Sequence, residues 1–212
     1  MDKKSNLITN TYPNLVKEWF FERNSDIDIN TITTGSNKKV WWKCQEGHYW
    51  QATVHNRYLG GGCPYCKNRK IWIGFNDLAT THPQLADEWD YENNIVSPQE
   101  ITYGSSKIIH WICKNGHKWK GRLNDRQNHD CPICANKKVL TGYNDLSTTH
   151  PQLAAQWNYN LNKNLRPTDV IAGSDKKVWW QCMNGHDWMA TLHDRKKGTG
   201  CPYCAGKKKC VA

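Results

Sequence analysis

The chain has 212 residues, of which 29 are Lys or Arg and 19 are Asp or Glu, so its formal net charge is +10. No stretch approaches the roughly 18 consecutive apolar residues that a membrane-spanning helix requires, and no apolar signal-peptide core stands at the start, so we expect a cytoplasmic protein without a membrane partner. Only 38% of the residues are hydrophobic, which would supply one ordinary core of this size poorly. Ten Cys, twelve Trp and nine His indicate another source of stability.

The sequence repeats itself with a nearly constant period. Cys44, Cys113 and Cys182 lie 69 residues apart, and each is preceded at nine residues by Gly-Ser and followed at six residues by Trp. Upstream of each, a Pro is followed two residues later by Leu and six residues later by Trp. Such self-similarity is typical of repeat architectures. We predict three repeats, at 1–70, 71–138 and 139–209, and a tail at 210–212.

Each repeat opens with a predicted short helix. Thr-His-Pro-Gln stands at 81–84 and 149–152, and Thr-Tyr-Pro-Asn stands at 11–14. Thr can cap a helix, the Gln three residues later can return the hydrogen bond, and Pro is tolerated in the first turn. The Leu and Trp that follow are four residues apart, so they would share one helical face. A polar, Asn-rich loop then leads to the second part of the repeat.

The second part of each repeat carries the spacing of a zinc site. In repeat one, three residues separate Cys44 from His48, and fourteen more lead to the pair Cys63 and Cys66. Zinc accepts thiolate sulfur and imidazole nitrogen in a closed tetrahedral site, which suits three Cys and one His in two close pairs. We therefore predict three Zn²⁺ ions per chain. The predicted ligands are Cys44, His48, Cys63, Cys66, Cys113, His117, Cys131, Cys134, Cys182, His186, Cys201 and Cys204.

The alternative for these nine cysteines is a set of disulfides, or burial as small apolar side chains. Nine is an odd number, every repeat keeps a His in the fourth place, and no secretory segment is apparent in the sequence. Disulfides persist mainly in oxidising compartments. These observations favour metal. Cys210 stands outside the pattern, and we interpret it as a spare surface thiol.

Between the two ligand pairs, apolar and polar residues alternate with period two, which predicts a strand with one buried face. In repeat one Trp50, Ala52 and Val54 fall on one side, and the opposite side continues as far as Arg57. An apolar strand also precedes each first Cys. The expected module is a strand, a metal knuckle, a second strand, and a second Cys pair that opens a short helix or turn. The predicted fold class is therefore small α+β modules stabilised by zinc.

Four sequence motifs carry a resemblance to known proteins. They are Asn76-Asp77-Leu78 with the Thr-His-Pro-Gln-Leu that follows, Gly-Ser-x-Lys-Lys-Val-Trp-Trp at 35–42 and 173–180, Cys-x2-Gly-His-x-Trp, and Cys-Pro-Tyr-Cys. In these motifs the chain resembles the tandem zinc-ribbon, or treble-clef zinc finger, repeats of bacteria and their phages. The resemblance implies three treble-clef or zinc-ribbon-like repeats, each a short helix plus a metal-bound β-hairpin. It also implies a nucleic-acid-associated role, sometimes beside nuclease domains, and no established chemical activity.

Basic residues concentrate in the zinc-binding part of each repeat. Segments 36–70, 105–138 and 174–209 together hold 23 basic and 6 acidic residues, and the remainder of the chain holds 6 basic and 13 acidic residues. Each Cys3His site adds about −1 when the thiolates and the metal are both counted, so the zinc segments carry about +14. Clustered cations of this kind attract a phosphate backbone. The alternative is a solvated face that serves solubility.

Three groups of residues are candidate nucleic-acid contacts. One is an Arg that recurs seven residues after the strand Trp, another is the polar face of the second repeat's strand, and the third is the basic cluster after each second Cys pair. A planar guanidinium can meet phosphate or a base edge. The candidates are Arg57, Arg126, Arg195, Lys118, Lys120, Arg122, Arg69, Lys70, Lys137, Lys138, Lys207 and Lys208. We interpret most Trp residues as cover for the metal sites and the small cores, with Trp42, Trp111 and Trp180 as alternative base-stacking residues. The Trp residues that fall on apolar faces are Trp19, Trp50, Trp89, Trp119 and Trp188.

Three functions compete at this point. The first is a non-catalytic nucleic-acid binder, with DNA favoured over RNA and a nucleoid location if DNA is the target. The second is an adaptor or inhibitor that binds a host nucleic-acid enzyme. The third is a ββα-metal endonuclease, for which His55 and His193 look superficially suitable. Asn124 replaces that His in repeat two, and no second metal-ligand set recurs, so the sequence predicts no enzyme activity.

Overall fold

The computed structural model describes residues 6–127 and 129–209, so the prediction about Cys210 lies outside the described residues. The described chain divides into two compact units. One comprises the residues up to Ile112 together with Lys120–Asn124, and the other comprises Cys113–Trp119 together with the residues from Asp125 onward. None of the helices in the described part of the chain is long and apolar enough to cross a bilayer.

The regular elements are short, and each repeat contains two helices, a pair of strands and a helical turn after the second strand, which is an α-helix in repeats one and three and a 3-10 turn in repeat two. The helices are Ile8–Thr11 (α1), Pro13–Lys17 (α2), Val54–Tyr58 (α3), Leu78–Thr81 (α4), Pro83–Ala86 (α5), Leu146–Thr149 (α6), Pro151–Ala154 (α7) and Leu192–Lys196 (α8). The strands are Lys39–Lys43 (β1), Tyr49–Thr53 (β2), Ile108–Ile112 (β3), Lys118–Arg122 (β4), Lys177–Gln181 (β5) and Asp187–Thr191 (β6). Single turns of 3-10 helix lie at Phe21–Arg23, Ile29–Thr31, Pro98–Glu100, Asn124–Gln127 and Pro167–Asp169.

The helix that opens each repeat is in fact two one-turn helices, and its cap differs from the prediction. Pro83 disfavours a helical conformation at the residue before it, so the chain breaks at His82, and α5 starts there without a side-chain cap. The cap belongs to α4, where the Asp77 carboxylate accepts a hydrogen bond from the Thr80 amide at 2.9 Å. The Thr81 hydroxyl donates to the Asp77 carbonyl. The predicted Thr cap is therefore wrong: α5 has no side-chain cap, and the capping side chain of this repeat, Asp77, belongs to the helix one turn earlier.

Each repeat holds one two-stranded antiparallel sheet, in the order β1-β2, β3-β4 and β5-β6. In the first hairpin Trp42 lies opposite Trp50, and in the third Trp180 lies opposite Trp188. Because side chains alternate along a strand, these pairs and their neighbours two residues away bury one face of each hairpin. The predicted pair of strands around a metal knuckle is confirmed.

The segment after each helix pair packs along the outer edge of the first strand. Trp19 forms an isolated bridge with Trp42, and the Lys43 amide donates to the Glu18 carbonyl at 2.7 Å. The rings of Trp19 and Trp42 meet edge to face at 5.6 Å between centroids. The equivalent pairs, Trp89 with Trp111 and Trp157 with Trp180, meet at 5.4 and 5.6 Å. This contact joins the helical part of each repeat to its hairpin.

An asparagine side chain closes the rest of that edge. Asn24 is buried, its amide group donates to the Trp41 carbonyl at 2.8 Å, and its carbonyl oxygen accepts from the Trp41 amide at 2.9 Å. Asn94 and Asn162 make the same two bonds to His110 and Trp179. In the Asn-rich loop, one asparagine side chain therefore makes the two main-chain hydrogen bonds that a neighbouring strand would otherwise make.

The small cores are built around these tryptophans. In repeat one the buried cluster includes Ile8, Trp19, Val40, Trp42 and Val54. The cluster of repeat three keeps the tryptophans and the strand valine at the equivalent positions, has Leu146 and Leu192 in place of Ile8 and Val54, and includes the zinc-ligand Cys201. Aromatic volume and the metal site thus replace the large aliphatic core that the composition could not supply.

Candidate zinc sites and nucleic-acid interface

The twelve predicted ligands converge into three sites. In each site three Sγ atoms and one His nitrogen lie within 4.8 Å of one another. In the first site the His48 Nδ1 atom lies 3.5 Å from the Cys44 sulfur, 3.8 Å from that of Cys63 and 3.3 Å from that of Cys66. The Cys44 and Cys66 sulfurs are 3.8 Å apart.

These distances fit a tetrahedral zinc ion. A Zn–S bond is about 2.3 Å long, and the edge of a regular tetrahedron is about 1.63 times its centre-to-corner distance, so two zinc-bound sulfurs should lie about 3.8 Å apart. The sulfur pairs Cys113 with Cys134 and Cys182 with Cys204 are also separated by 3.8 Å. A disulfide would bring two sulfurs to about 2.05 Å. The geometry therefore rejects disulfides and supports three zinc sites of the closed, structural kind.

Two local turns present the ligands of each site. The first pair sits on the turn between the hairpin strands, where the Gly47 amide donates to the Cys44 carbonyl at 3.0 Å and Gly47 has φ of 84°. That left-handed conformation favours glycine. The second pair lies on a turn in which the amides of Arg69 and Lys70 both donate to the Pro64 carbonyl, at 2.8 and 3.1 Å. The second Cys pair therefore opens a turn, which was one of the two predicted outcomes, and no helix.

The thiols need a cation in order to ionise together. Burial, reinforced by the neighbouring thiols of Cys63 and Cys44, raises the pKa of Cys66 to about 12. Burial likewise raises the pKa of Cys131 to about 11. At Cys182 burial acts in the same direction, but hydrogen bonds from the backbone amides of His186 and Asn184 outweigh it and lower the pKa to about 7. A bound Zn²⁺ ion displaces the remaining protons, so the proton release should accompany metal binding.

The opening residues of the next repeat cover the zinc-binding His. The Phe75 ring meets the His48 ring at 4.1 Å between centroids, and Trp72 meets it at 4.9 Å. Tyr143 meets the ring of His117 at 4.3 Å in the same edge-on manner. Sequence reasoning missed this contact, although the recurring Gly-aromatic-Asn-Asp motif was its visible signal.

A buried asparagine hydrogen-bonds each of these covering segments to the zinc-site turn that precedes it. The Asn144 amide group donates to the carbonyls of Ile133 and Lys138 at 3.1 and 3.0 Å, and its own carbonyl oxygen accepts from the Leu140 amide at 2.7 Å. Asn76 makes the same set of bonds to the turn of the first site. Both the NH2 group and the carbonyl oxygen of this side chain are hydrogen-bonded. The asparagine therefore fixes the segment that covers the His to the turn of the zinc site before it.

Most of the basic candidates are exposed. Along β4 the side chains of Lys118, Lys120 and Arg122 face solvent, while the intervening Trp119 is buried. The clusters after the second Cys pairs are also exposed. They comprise Arg69, Lys70, Lys137, Lys138, Lys207 and Lys208. The strand and the three turns therefore present cations to solvent in all three repeats.

The recurring arginine lies elsewhere than expected. Arg57 and Arg195 are only 6% and 5% exposed, so the prediction that they lie on the solvent-facing side of a strand is wrong. The strand ends at Thr53, whose hydroxyl accepts from the Asn56 amide and starts α3. Period two stops there, and Arg57 shares the inward helical face of Val54.

Each buried guanidinium lies against two tryptophan rings. The Arg195 guanidinium carbon is 5.0 Å from the Trp180 ring centroid and 5.3 Å from that of Trp188, and its nitrogens donate to the Thr199 carbonyl and to the Gln156 side chain. Burial lowers the pKa of Arg195, and the nearby Cys201 opposes that shift.

The second repeat departs from this pattern. Arg126 is half-buried on a 3-10 turn, 5.4 Å from the Trp119 ring, and donates to the His129 carbonyl.

The innermost tryptophans are unavailable to bases. Trp42, Trp111 and Trp180 are 0% exposed, and each indole N–H donates at 3.1 Å to a carbonyl of the second strand. The alternative interpretation of these rings as stacking platforms is therefore wrong. The interpretation of Trp19, Trp50, Trp89, Trp119 and Trp188 as core residues agrees with their burial.

Comparison with known families decides the affiliation of this fold. The family model described as "Probable Treble clef zinc finger domain" matches residues 15–69, 85–137 and 153–207, which together make up most of the chain. The chain belongs to this family. The resemblance found in the sequence motifs is thereby confirmed, and so is the fold class of three tandem zinc-stabilised α+β modules.

A curated protein of Escherichia phage T5, described as "Putative endonuclease", is similar to part of the chain. The two are 30% identical over 108 residues. The matched stretch makes up 50% of this chain and 35% of the phage protein. About two thirds of the phage protein therefore lies outside the likeness.

Proposed function

We propose that this protein is a non-catalytic binder of nucleic-acid backbone, with DNA favoured over RNA. The observation that carries the proposal is the exposed row of Lys118, Lys120 and Arg122 on β4. Residues two apart on a strand lie about 6.6–6.8 Å from each other, so these cations form a line along one face. The buried Trp119 and the zinc site at the end of the strand hold that line in place.

The charge of the whole chain supports the same function. The zinc segments carry about +14 once the three metal sites are counted, whereas the rest of the chain carries an excess of seven negative charges. Phosphate contacts of this type release condensed counterions and give affinity without sequence preference.

A salt titration tests this proposal directly. Fluorescence anisotropy with labelled duplex DNA and duplex RNA should show binding at low salt, with log affinity falling against log salt by roughly 0.9 for each phosphate neutralised on DNA. Lys120→Glu should weaken binding to all sequences alike. The matched control is Lys17→Glu, which makes the same charge change at an exposed position outside the zinc segments and should have little effect. Equal losses in the two variants would contradict the assignment of β4.

The nuclease alternative draws support from the phage relative alone. Among the described residues, the His, Cys, Asp and Glu groups close enough to share an ion are the three Cys3His sites, and a closed zinc site keeps no open position for an activated water. Plasmid, single-stranded DNA and RNA should therefore stay intact with the purified protein in magnesium or manganese. Cleavage that disappears in a His55→Ala, His193→Ala variant would replace the binder with the endonuclease. If no nucleic acid binds, the adaptor of a host protein becomes the better account.

A further inference from the structure

We propose a nucleotide site at the start of the third repeat, where an unpaired base stacks on His150 and its phosphates meet Lys137 and Lys176. The inference rests on the proposed nucleic-acid function and adds to it a site that selects single strands. It is carried by a difference between two repeats at one structural position, together with a cavity at that position and a second cavity that adjoins it.

The second repeat supplies the template for the stacking. There the Tyr103 ring lies on the His82 ring with 3.5 Å between centroids and 19° between planes. The His82 Nδ1 atom is 3.0 Å from the Thr81 hydroxyl, which fixes the ring direction. An aromatic ring therefore already occupies one face of the imidazole in this repeat.

The third repeat has a histidine, His150, at the same position but no aromatic residue at the position of Tyr103. His150 has φ and ψ of −141° and 65°, against −142° and 66° for His82, and its Nδ1 atom is 2.9 Å from the Thr149 hydroxyl. Ala172 stands where the second repeat has Tyr103, in each case directly before the Gly-Ser pair. A cavity of about 110 Å³ lies there, with His150, Ala172 and Lys196 in its wall. Ala172 is itself buried, but the cavity beside it gives room for a planar ring in the place that Tyr103 takes in repeat two.

A second, larger cavity adjoins the first. It measures about 430 Å³ and shares the lining residues Asn136, Ile171 and Gly173 with the smaller one. Lys137, from the turn that carries the second zinc site, and Lys176, from the loop before β5, both line it. The cations thus come from two successive repeats.

One acidic side chain, Asp169, also lines this cavity. Asp169 accepts a hydrogen bond from the Arg166 amide at 2.9 Å. The Ser174 hydroxyl accepts from the Lys176 amide at 3.2 Å and holds the loop that carries this lysine. Two lysines and one carboxylate thus leave the wall with a net charge of +1, which favours a phosphate beside the lysines.

The smaller cavity beside the imidazole suits the base of a nucleotide, and the larger cavity with its lysines suits the phosphate. Base stacking on an aromatic ring tolerates any base, because every base has a π-face, and lysines then follow the backbone. Bases inside a duplex are stacked on their neighbours and must leave the stack before they can meet a protein ring. The site consequently selects single strands, and the exposed row on β4 provides backbone binding common to both forms.

Filling the slot from within is the sharpest test. Ala172→Tyr introduces the ring that repeat two carries at the same position, and it should lower affinity for a short labelled oligothymidylate by about tenfold, while affinity for duplex DNA stays within twofold. The mirror-image control is Tyr103→Ala, which uncovers His82 and should leave single-strand affinity unchanged or raise it. Zinc content and circular dichroism of each variant verify the fold.

Two further variants keep the test decisive if Ala172→Tyr folds poorly. His150→Ala should show the same selective loss, and Lys137→Gln with Lys176→Gln should flatten the salt dependence for the oligothymidylate. Oligothymidylate affinity that is unchanged in His150→Ala overturns this site and leaves the backbone-binding function standing. A wild-type protein that binds neither duplex nor single strand overturns the function itself, so the two failures are distinguishable.

Discussion

Arg57 forms an ion pair with Glu18 although the two residues lie 39 positions apart in the chain. The guanidinium is buried between Trp42 and Trp50, and it also donates to the Gly61 carbonyl next to the second Cys pair. One side chain therefore connects the helical part of the repeat, the hairpin and the loop of the zinc site. The third repeat keeps the arginine but supplies Gln156 as its partner.

We expect Arg57→Ala to lower the free energy of unfolding of repeat one by about 2–3 kcal/mol. This is below the roughly 3–5 kcal/mol for breaking a fully buried pair, because the Glu18 side chain is 35% exposed and regains water. Glu18→Gln should lower the free energy of unfolding by less than about 1 kcal/mol, since in the third repeat the equivalent arginine already has a glutamine, Gln156, as its partner. Urea unfolding of both variants measures the difference. A Glu18→Gln variant as damaged as Arg57→Ala would show that the charge itself is required.

Purified protein should contain three zinc ions per chain, measured by elemental analysis. Cys201→Ser should lower the count to about two, because an incomplete set of ligands loses the tetrahedral site. The matched control is Cys210→Ser, which should keep all three ions. Chelation should unfold the protein at least in part, since zinc contributes roughly 10–16 kcal/mol in small modules of this kind. A protein that stays folded without metal would contradict a structural role for these sites.

Phe75→Ala should make zinc leave the first site faster. The variant removes the ring that packs on His48, and an aromatic contact of this sort is worth about 0.5–1.5 kcal/mol, or about a two- to tenfold change in rate. Transfer of zinc to a chromogenic chelator gives the rate, and the histidine ring signals in NMR spectra identify the site. Tyr143→Ala should affect the second site instead. If either variant lost zinc faster from all three sites alike, the aromatic ring would not be acting on its own site alone.

Asp145→Asn should lower the free energy of unfolding by about 1–2 kcal/mol near pH 7, because the amide nitrogen that replaces one carboxylate oxygen cannot accept the hydrogen bonds from the Gly142 amide and the Thr148 hydroxyl. Burial raises the pKa of Asp145, but hydrogen bonds from the Thr148 hydroxyl and from the amides of Thr148 and Gly142 outweigh burial and lower it overall. A lowered folded-state pKa stabilises the fold above the usual value of about 3.9, and that contribution fades as pH falls through the folded-state value. Urea unfolding should thus show a constant gap between about pH 7 and pH 5. Asp175→Asn, at an exposed position, should show no gap.

The period, the ligand set and the hairpins were predictable because each depends on local spacing. Cys and His at fixed distances define a zinc site in almost any short loop, and period two defines a half-buried strand. The turn after Cys63 was predictable only as one of two alternatives, since its left-handed residue is Asn68, with φ of 53°, and no glycine marks it.

The arginine and asparagine roles were not predictable from spacing. The burial of Arg57 depends on where Thr53 ends the strand, and a change from period two to helical period moves every later side chain to another face. The roles of Asn24 and Asn144 depend on partners outside their own segment, at Trp41 and Ile133. Polar contacts between distant segments produce no periodic pattern in the sequence from which they could be predicted.

The asparagine beside β1 also limits how this protein can be recognised. A free strand edge invites another chain to extend the sheet, which is a common route to peptide capture and to aggregation. At Trp41 both main-chain groups are occupied by Asn24, and Asn94 and Asn162 occupy the same groups of His110 and Trp179. These hairpins are therefore closed to strand addition at that point, and a partner must approach through side chains. A chain built of two-stranded sheets can in this way carry several hairpins without offering this part of their edges for pairing.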